Sequence, residues 1–436
     1  MGIFIIKNIN ILTSFDQGEF FKGDLKIDSN TGKVLEIGEN LNSAGTEKQV
    51  DMSDKLVTPG LVVGHHHLYS ALARGMPAPR KTPENFLETL KYLWWILDRA
   101  LNENTVYLSG MAGLLGAARL GVTGVIDHHA SPSFIEGSLF TLAKAFRNIG
   151  LRGMLSYEVT DRNGKDEGIR AIQENADFAK TVESDPQLNA AVGAHASFTI
   201  KDSTMDRVGV LCHDTGLPLH IHLLESGQDR TISIEKFGYD PLTRLEQRGL
   251  LREQDMIVHG VDLKPEELQK LNTLKVNLLH NPRSNMNNRV GRSSLRQGKW
   301  AIGTDGIDSD ILAEVRTSFF RGREDHPPID FSLPLKMLKR SQQILGKSQG
   351  IEISEIKKGS VADFTFFDYH SPTPLNADNF AGHVFFGLSS WAVCGTMVGG
   401  KWIMQDRKIL SVDEKETSQA TRLGAKALYL EMEKLQ

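Results

Sequence analysis

Histidine collects at the ends of short apolar runs in this chain. Ten of its fourteen histidines, His65, His66, His67, His128, His129, His195, His220, His222, His259 and His280, fall in or just after such runs. A lone buried imidazole is more often a hydrogen-bonded core residue than a ligand. Repetition at strand ends reverses that expectation. In Gly64-His65-His66-His67 the outer two histidines are two residues apart, so they share one strand face and can point at one ion while His66 faces away. Leu219-His220-Ile221-His222 offers a third imidazole, with Glu225 three residues beyond it, and Asp305 stands in Ile302-Gly303-Thr304-Asp305-Gly306. Three nitrogens and one oxygen leave a coordination position open for water, as a catalytic zinc or iron site requires.

The elements that must position these residues are the apolar runs themselves, at 56–64, 121–127, 151–157, 188–194, 217–224, 256–258, 275–279 and 299–304. Continuous apolar character marks strands covered on both faces, and the segments between carry helical signals. Thr82-Pro83-Glu84 reads as an N-cap ahead of an apolar stripe in which Trp94 and Trp95 are core residues, and Asn104 opens a helix that Gly121 stops. The expected fold is α/β, a (βα)8 TIM-like barrel over 56–355, whose chemistry sits at the C-terminal strand ends where the histidines are. Residues 1–55 and 356–410 instead alternate short strands with turns, and are expected to pair as one composite β-sandwich domain. From Ser411 a Ser-x-x-Glu capping box opens a C-terminal helix over 411–436, with Ala420, Leu423, Ala427 and Leu430 on one stripe.

Composition removes whole classes of function. Fifty basic against fifty-four acidic residues give a formal charge of −4, with no electrostatic footprint for nucleic acid or an anionic membrane. The only cysteines, Cys212 and Cys394, exclude a disulfide framework and a thiolate zinc site. No signal-peptide pattern and no long apolar run appears, so a cytoplasmic protein is expected. Walker and dinucleotide-type glycine loops are absent, as is the His-x-Glu with Pro-Cys-x-x-Cys of nucleic-acid-editing deaminases. A small molecule is the expected partner. No face of the sequence specifies a homo-oligomer.

The order of the pieces carries a resemblance. Val57-Thr58-Pro59-Gly60 leading to His65-His66-His67, then His220-x-His222-x-x-Glu225, His259-Gly260-Val261-Asp262, His280-Asn281-Pro282-Arg283-Ser284-Asn285 and Gly303-Thr304-Asp305-Gly306, closely resembles the amidohydrolase superfamily. The match covers nearly the whole chain, because Gly359-Ser360-Val361-Ala362-Asp363 and Val398-Gly399-Gly400-Lys401 look like that family's closing β-sandwich. Within it the chain is similar to the atrazine chlorohydrolase, guanine deaminase and cytosine deaminase-like branch. Asp127-His128-His129-Ala130-Ser131-Pro132 and Ser371-Pro372-Thr373-Pro374-Leu375 further resemble the SsnA-type aminohydrolases, a group associated with selenium and purine metabolism.

The resemblance implies that His65, His67, His222 and Asp305 bind one divalent metal ion, zinc first and iron second, and that Glu225 and His259 flank the attacking water. Ala194-His195-Ala196-Ser197 stands where binuclear members carry a bridging lysine, which favours one metal; Lys201 is too far along to substitute. Glutamate at 225, where a chlorohydrolase has a non-acidic residue, favours deamination.

The chemistry agrees. Hydrolytic loss of an amine from an aromatic amidine carbon needs an acidified water, a proton for the ring nitrogen and a proton for the departing ammonia. Glu225 can shuttle the first proton, Asp305 can take the second, and His259 can orient the oxygen. The expected substrate is a purine-like nitrogen heterocycle. His128, His129, His195, His280, Arg283, Ser284 and Asn285 are expected at the barrel mouth to hydrogen-bond it, and several histidines with Arg283 and Asn285 there suit a ring bearing carbonyls. Arg74 and Arg80 either reach that ring or stay solvated; Asp308 and Asp310 cap the helix after strand eight. The rival readings are hydrolysis of a cyclic amide or carbon–halide bond at the same centre, and an inactive barrel kept as a binding protein.

Overall fold

The computed structural model describes residues 2–42, 45 and 47–436. The apolar runs form strands buried along their lengths, as two-sided coverage demands, and they assemble into two five-stranded parallel sheets. One sheet carries Leu61–His67, Val122–His129, Arg152–Tyr157 and Leu188–Ala190 in sequence order, with Asp305–Gly306 against the outer side of Leu61–His67. The other carries Val192–Ala196, Leu219–Leu223, Met256–His259, Asn277–His280 and Lys299–Ile302, again in order. Helices cross between consecutive strands, among them Glu103–Arg119, Ser138–Ile149 and Asp202–Thr215, and Ile311–Gly322 follows the last strand. The sheets meet at two places. Val159 and Ala194 form an isolated parallel bridge on one side. On the other, the chain runs from Lys299–Ile302 into Asp305–Gly306, where the Thr304 N–H donates to the His65 carbonyl at 3.0 Å.

Two of the expected strands divide. Run 56–64 splits at Gly60, so Leu56–Pro59 joins a different sheet while Leu61–His67 continues to the third histidine. Gly60 is required there, since a Cβ would lie 2.2 Å from Thr123 Oγ1. Run 188–194 divides at Ala191 into Leu188–Ala190 and Val192–Ala196, which pair with opposite neighbours. A continuous apolar run does not report a change of partner.

Both chain ends contribute to one further sheet of nine strands. Ile3–Leu12 lies near its middle, pairing with Phe20–Asp28, Lys48–Asp51 and Leu56–Pro59, and Phe364–Phe367 links this half to Val393–Val398 and Lys401–Gln405. Its own apolar cluster gathers Phe4, Ile6, Leu25, Val57, Phe364 and Phe366.

Helix starts differ from expectation by a few residues. Asn85 and not Thr82 caps the first crossover segment, accepting from the Glu88 N–H, and Asn102 and not Asn104 caps Glu103–Arg119 through a box with Thr105. Asp413 opens the last helix, Glu414–Leu435, and its buried positions are Gly424, Leu428 and Met432, while Leu423 and Leu430 are exposed. Gly424 sits where a Cβ would come within 2.6 Å of the Leu108 side chain, so close approach at a residue with no hydrophobic signal sets the packed face. No helix among the described residues is long and apolar enough to cross a membrane.

Candidate active site

Every strand that ends in one of the candidate ligands points it at one buried spot. His67 Nε2 lies 3.2 Å from His222 Nε2, which lies 3.3 Å from His65 Nε2; Asp305 Oδ1 lies 3.3 Å from His65 Nε2 and 3.1 Å from His67 Nε2. The outer nitrogens fix which atoms face inward. His67 Nδ1 donates to the His128 carbonyl at 2.6 Å and His222 Nδ1 to the His195 carbonyl at 3.0 Å, so both Nε2 atoms present lone pairs. His65 is set by a relay. The Ser156 hydroxyl donates to the Asp127 carbonyl at 3.1 Å and therefore accepts from His220 Nδ1 at 3.4 Å; His220 Nε2 then accepts from His65 Nδ1 at 2.9 Å. With the imidazoles neutral, three lone pairs and a carboxylate thus face one another. This donor set fits a single divalent cation of the zinc or iron kind, and is a repulsive arrangement for anything else.

The electrostatics agree with a cation site. Burial pushes His65 down to about 3. Burial also opposes charge on His67, but Asp305 overrides it and holds that imidazole up at about 9. Asp305 resists its own burial through His65 and His67 and stays well below the usual carboxylate range. His66, on the opposite strand face, hydrogen-bonds Thr304 Oγ1 at 2.8 Å and takes no part.

Glu225 and His259 stand beside this centre. Their oxygens and nitrogens lie with Asp305's within 4.8 Å of one another, and His259 Nε2 is 3.5 Å from Glu225 Oε2. Burial pushes the Glu225 carboxyl up to about 7, the range suited to a proton shuttle. His259 Nδ1 is anchored by Asn285 Oδ1 at 2.8 Å, and Asp305 Oδ2 accepts from the Ser284 hydroxyl. Leu224, His259 and Asp305 all take left-handed backbone, with φ of 52°, 70° and 58°. Such residues each cost about 1–3 kcal/mol and persist only where the surroundings over-determine them. Here that strain turns three strand ends inward.

The cavity above the centre is lined by His67, Glu158, Arg162, His195, Glu225 and Asn288 on its polar side. Its other walls are Phe86, Leu87, Leu90, Trp94, Trp95, Phe198 and Ile232. Of the expected substrate contacts, His195 lines it. The others do not. His128 and His129 are buried, the first with Nε2 on the His220 carbonyl at 3.1 Å, the second with Nε2 on Ser131 Oγ at 2.8 Å. His280 is buried with neither ring nitrogen hydrogen-bonded. Arg283 is held between Asp308 and Glu314, at 2.6 and 2.8 Å, while Ser284 and Asn285 contact Asp305 and His259 from behind. The expectation of a carbonyl-bearing ring, as built on Arg283 and Asn285, therefore loses its basis. Asp310 does cap the helix Ile311–Gly322. Arg74 and Arg80 reach only the carbonyls of Ile307 and Glu433.

Trp94 and Trp95, read as core, are half-buried cavity residues. Phe86, Leu87 and Leu90 of the same stripe line this cavity too, so the stripe, wound as π-helix over Leu90–Trp94, faces the cavity and not a closed core. Glu158 and Arg162 were not singled out by sequence reasoning. The available signal was an acid immediately after strand three, at the same strand-end level as the histidines.

A protein-family model for the amidohydrolase family matches residues 56–403. The chain belongs to the amidohydrolase family. A 5-methylthioadenosine/S-adenosylhomocysteine deaminase from Pyrococcus furiosus is 28% identical over 423 residues, covering 94% of this chain and 97% of its own. A 5'-deoxyadenosine deaminase from Methanosarcina acetivorans is 27% identical over 443 residues, with 98% and 99% covered. Among solved structures, an adenosine deaminase from Xanthomonas campestris with bound zinc superposes with a TM-score of 0.83 at 20% identity, over 97% of this chain and 99% of that one. At that identity the likeness is one of fold. This amidohydrolase is a hydrolase of carbon–nitrogen bonds, in line with its deaminase-named relatives.

Proposed function

We propose that this amidohydrolase deaminates a purine-like nitrogen heterocycle, with His65, His67, His222 and Asp305 holding one zinc-type ion. We read its two parallel sheets as the halves of one (βα)8 barrel over 56–355. The nine-stranded sheet is then the small domain built from 1–55 and 356–410, with 411–436 as a closing helix. The observation that carries the activity is geometric: the Glu225 and Asp305 carboxylates stand with His259 within 4.8 Å of one another, and Asp305 also meets the nitrogens of His65, His67 and His222. A bound divalent ion supplies Lewis acidity that brings the ionisation of water from 15.7 towards ~7.

The protein's own residues do the rest. Glu225 takes one proton from the attacking water and returns it to the ring nitrogen beside the amine-bearing carbon, as the new carbon–oxygen bond forms. Asp305, positioned by Ser284, receives the second proton and passes it to the amine, so that the carbon–nitrogen bond breaks with ammonia leaving and an oxo ring remaining. His259, fixed by Asn285, aims Nε2 at the oxygen. Trp94, Trp95 and Phe198 give the ring flat apolar walls.

The names of the relatives support a purine-like substrate, since both curated relatives are purine nucleoside deaminases. The test is ammonia release by metal-replete protein across purines and their nucleosides, pyrimidines, pterins and triazines. Release from a purine-type ring is expected. A protein that opens a cyclic amide or expels chloride from a triazine, and releases no ammonia, shares the centre but not the reaction.

A further inference from the structure

The wall of the cavity formed by strands three and four carries a group that the reaction leaves unused. Glu158 follows Arg152–Tyr157 directly, is 3% exposed, lines the cavity and makes no side-chain hydrogen bond among the described residues. Its neighbours are His195 Nε2 at 3.5 Å, Arg162 Nη2 at 3.6 Å and His128 Nδ1 at 3.6 Å. Two of those three are acceptors. The Thr199 hydroxyl donates to the Ala196 carbonyl at 2.9 Å, so it accepts from His195 Nδ1 at 2.8 Å and leaves His195 Nε2 with a lone pair. His128 Nε2 donates to the His220 carbonyl, which leaves its buried Nδ1 as an unpartnered lone pair. The one donor, Arg162, is drawn to Asp98 at 3.0 Å and lies over the Trp95 ring at 5.0 Å.

A buried carboxylate facing two lone pairs is costly unless a donor arrives between them. Position says what carries that donor. A Glu158 oxygen lies with ligand nitrogens of His67 and His128 inside a 4.8 Å cluster, and His67 belongs to the reaction centre. A donor that reaches Glu158 therefore sits on the reacting ring. The outer cavity is walled by Phe86, Leu87, Leu90 and Ile232, with Gln228 the polar side chain beside them, its Oε1 accepting from the Leu87 N–H at 3.3 Å. We infer that Glu158 reads a ring N–H of the substrate, with Arg162 beside it taking an adjacent ring carbonyl, so that the preferred substrates are aminated heterocycles with a lactam edge and not adenine nucleosides, whose rings carry no N–H. The inference rests on the deaminase reading. The guanidinium also argues against a second cation at Glu158.

The experiment compares metal-replete wild type, Glu158→Gln and Glu158→Asp. Each is given aminated lactam rings, every ring-N-methyl isomer of the best one, and adenosine-type nucleosides. Ammonia release is followed by kcat/KM, and binding of the rings and their deaminated products by calorimetry. Wild type should reject at least one N-methyl isomer by about 10³-fold or more, a buried group left unpaired being the cause. Glu158→Gln should lose about 100-fold on the lactam ring and little on that isomer. Glu158→Asp should recover part of the discrimination, and all three proteins should hold the same metal content and melt alike. Wild type that prefers an adenosine-type nucleoside, or a Glu158→Gln loss equal on methylated and free rings, overturns the inference. So does a second metal equivalent that disappears with Glu158. If no ring releases ammonia, the deaminase reading fails alone, because calorimetric discrimination between free and methylated rings still tests Glu158.

Discussion

Histidines end strands in both parallel sheets, yet only some of them gather at one centre. His65, His67 and His222 each place Nδ1 on a carbonyl or another imidazole and present Nε2 to a common point. His129 and His280, at equivalent strand ends, turn to Ser131 or to no partner at all, and neither lines the cavity. Residue type and strand position are the same in the two sets. What differs is where the second nitrogen goes, and that is decided by neighbouring strands whose register a single sequence does not display.

The contrast is broken most severely at the centre. His222→Ala should remove most of the bound metal and reduce turnover to background, as should chelation of the wild type, with reactivation on adding zinc or iron; elemental analysis should find about one equivalent in the active protein. His66→Ala, one residue from two ligands but on the opposite face, should keep its metal. Equal metal loss from both variants would erase the distinction between the faces.

Next in size is Glu225→Gln. A proton shuttle that is not a ligand should keep the metal and lose about two to four powers of ten in turnover. Metal loss in this variant would move Glu225 into the ligand set.

The ligand set is legible in the sequence because period-two alternation and strand order place His65, His67, His222 and Asp305 together whatever the loops do. The rest is hidden for physical reasons. Asn285 and Ser284 read as contacts at the mouth because the short helix Pro282–Asn287 resembles a loop opening on substrate; it instead turns them under His259 and Asp305. Trp94 and Trp95 lie on an apolar stripe that walls the cavity, and apolar character alone does not separate a cavity wall from a core face. Glu158 offers the sequence only its place directly after Arg152–Tyr157, and its burial without a side-chain hydrogen bond among the described residues becomes visible in the structure alone.

Asn285 gives a smaller effect that tests positioning. Asn285→Ala removes the anchor on His259 Nδ1 and should lower kcat by about tenfold, of the order expected for one lost hydrogen bond, with metal retained and KM little changed. Asn285→Asp, which restores an acceptor, should recover most of it. A rise in KM alone would make Asn285 a substrate contact after all.

The smallest effect on activity belongs to the other set of histidines. His129 is fully buried, its Nε2 donating to Ser131 Oγ, which in turn donates to the Phe134 carbonyl at 2.6 Å, while its ring packs edge-on against Tyr157 at 5.7 Å. Those contacts hold the loop after strand two, and the ring meets the cavity wall through an edge-on contact with Tyr69 at 6.1 Å. His129→Leu should therefore destabilise the fold by about 1–3 kcal/mol in denaturant unfolding, through the unpaired serine and the altered packing. It should leave metal content unchanged and kcat/KM within about twofold. A tenfold fall in kcat/KM at full metal occupancy would mean that strand two shapes the substrate site as well, and the division between histidines that face the centre and histidines that support it would have to be redrawn to include it.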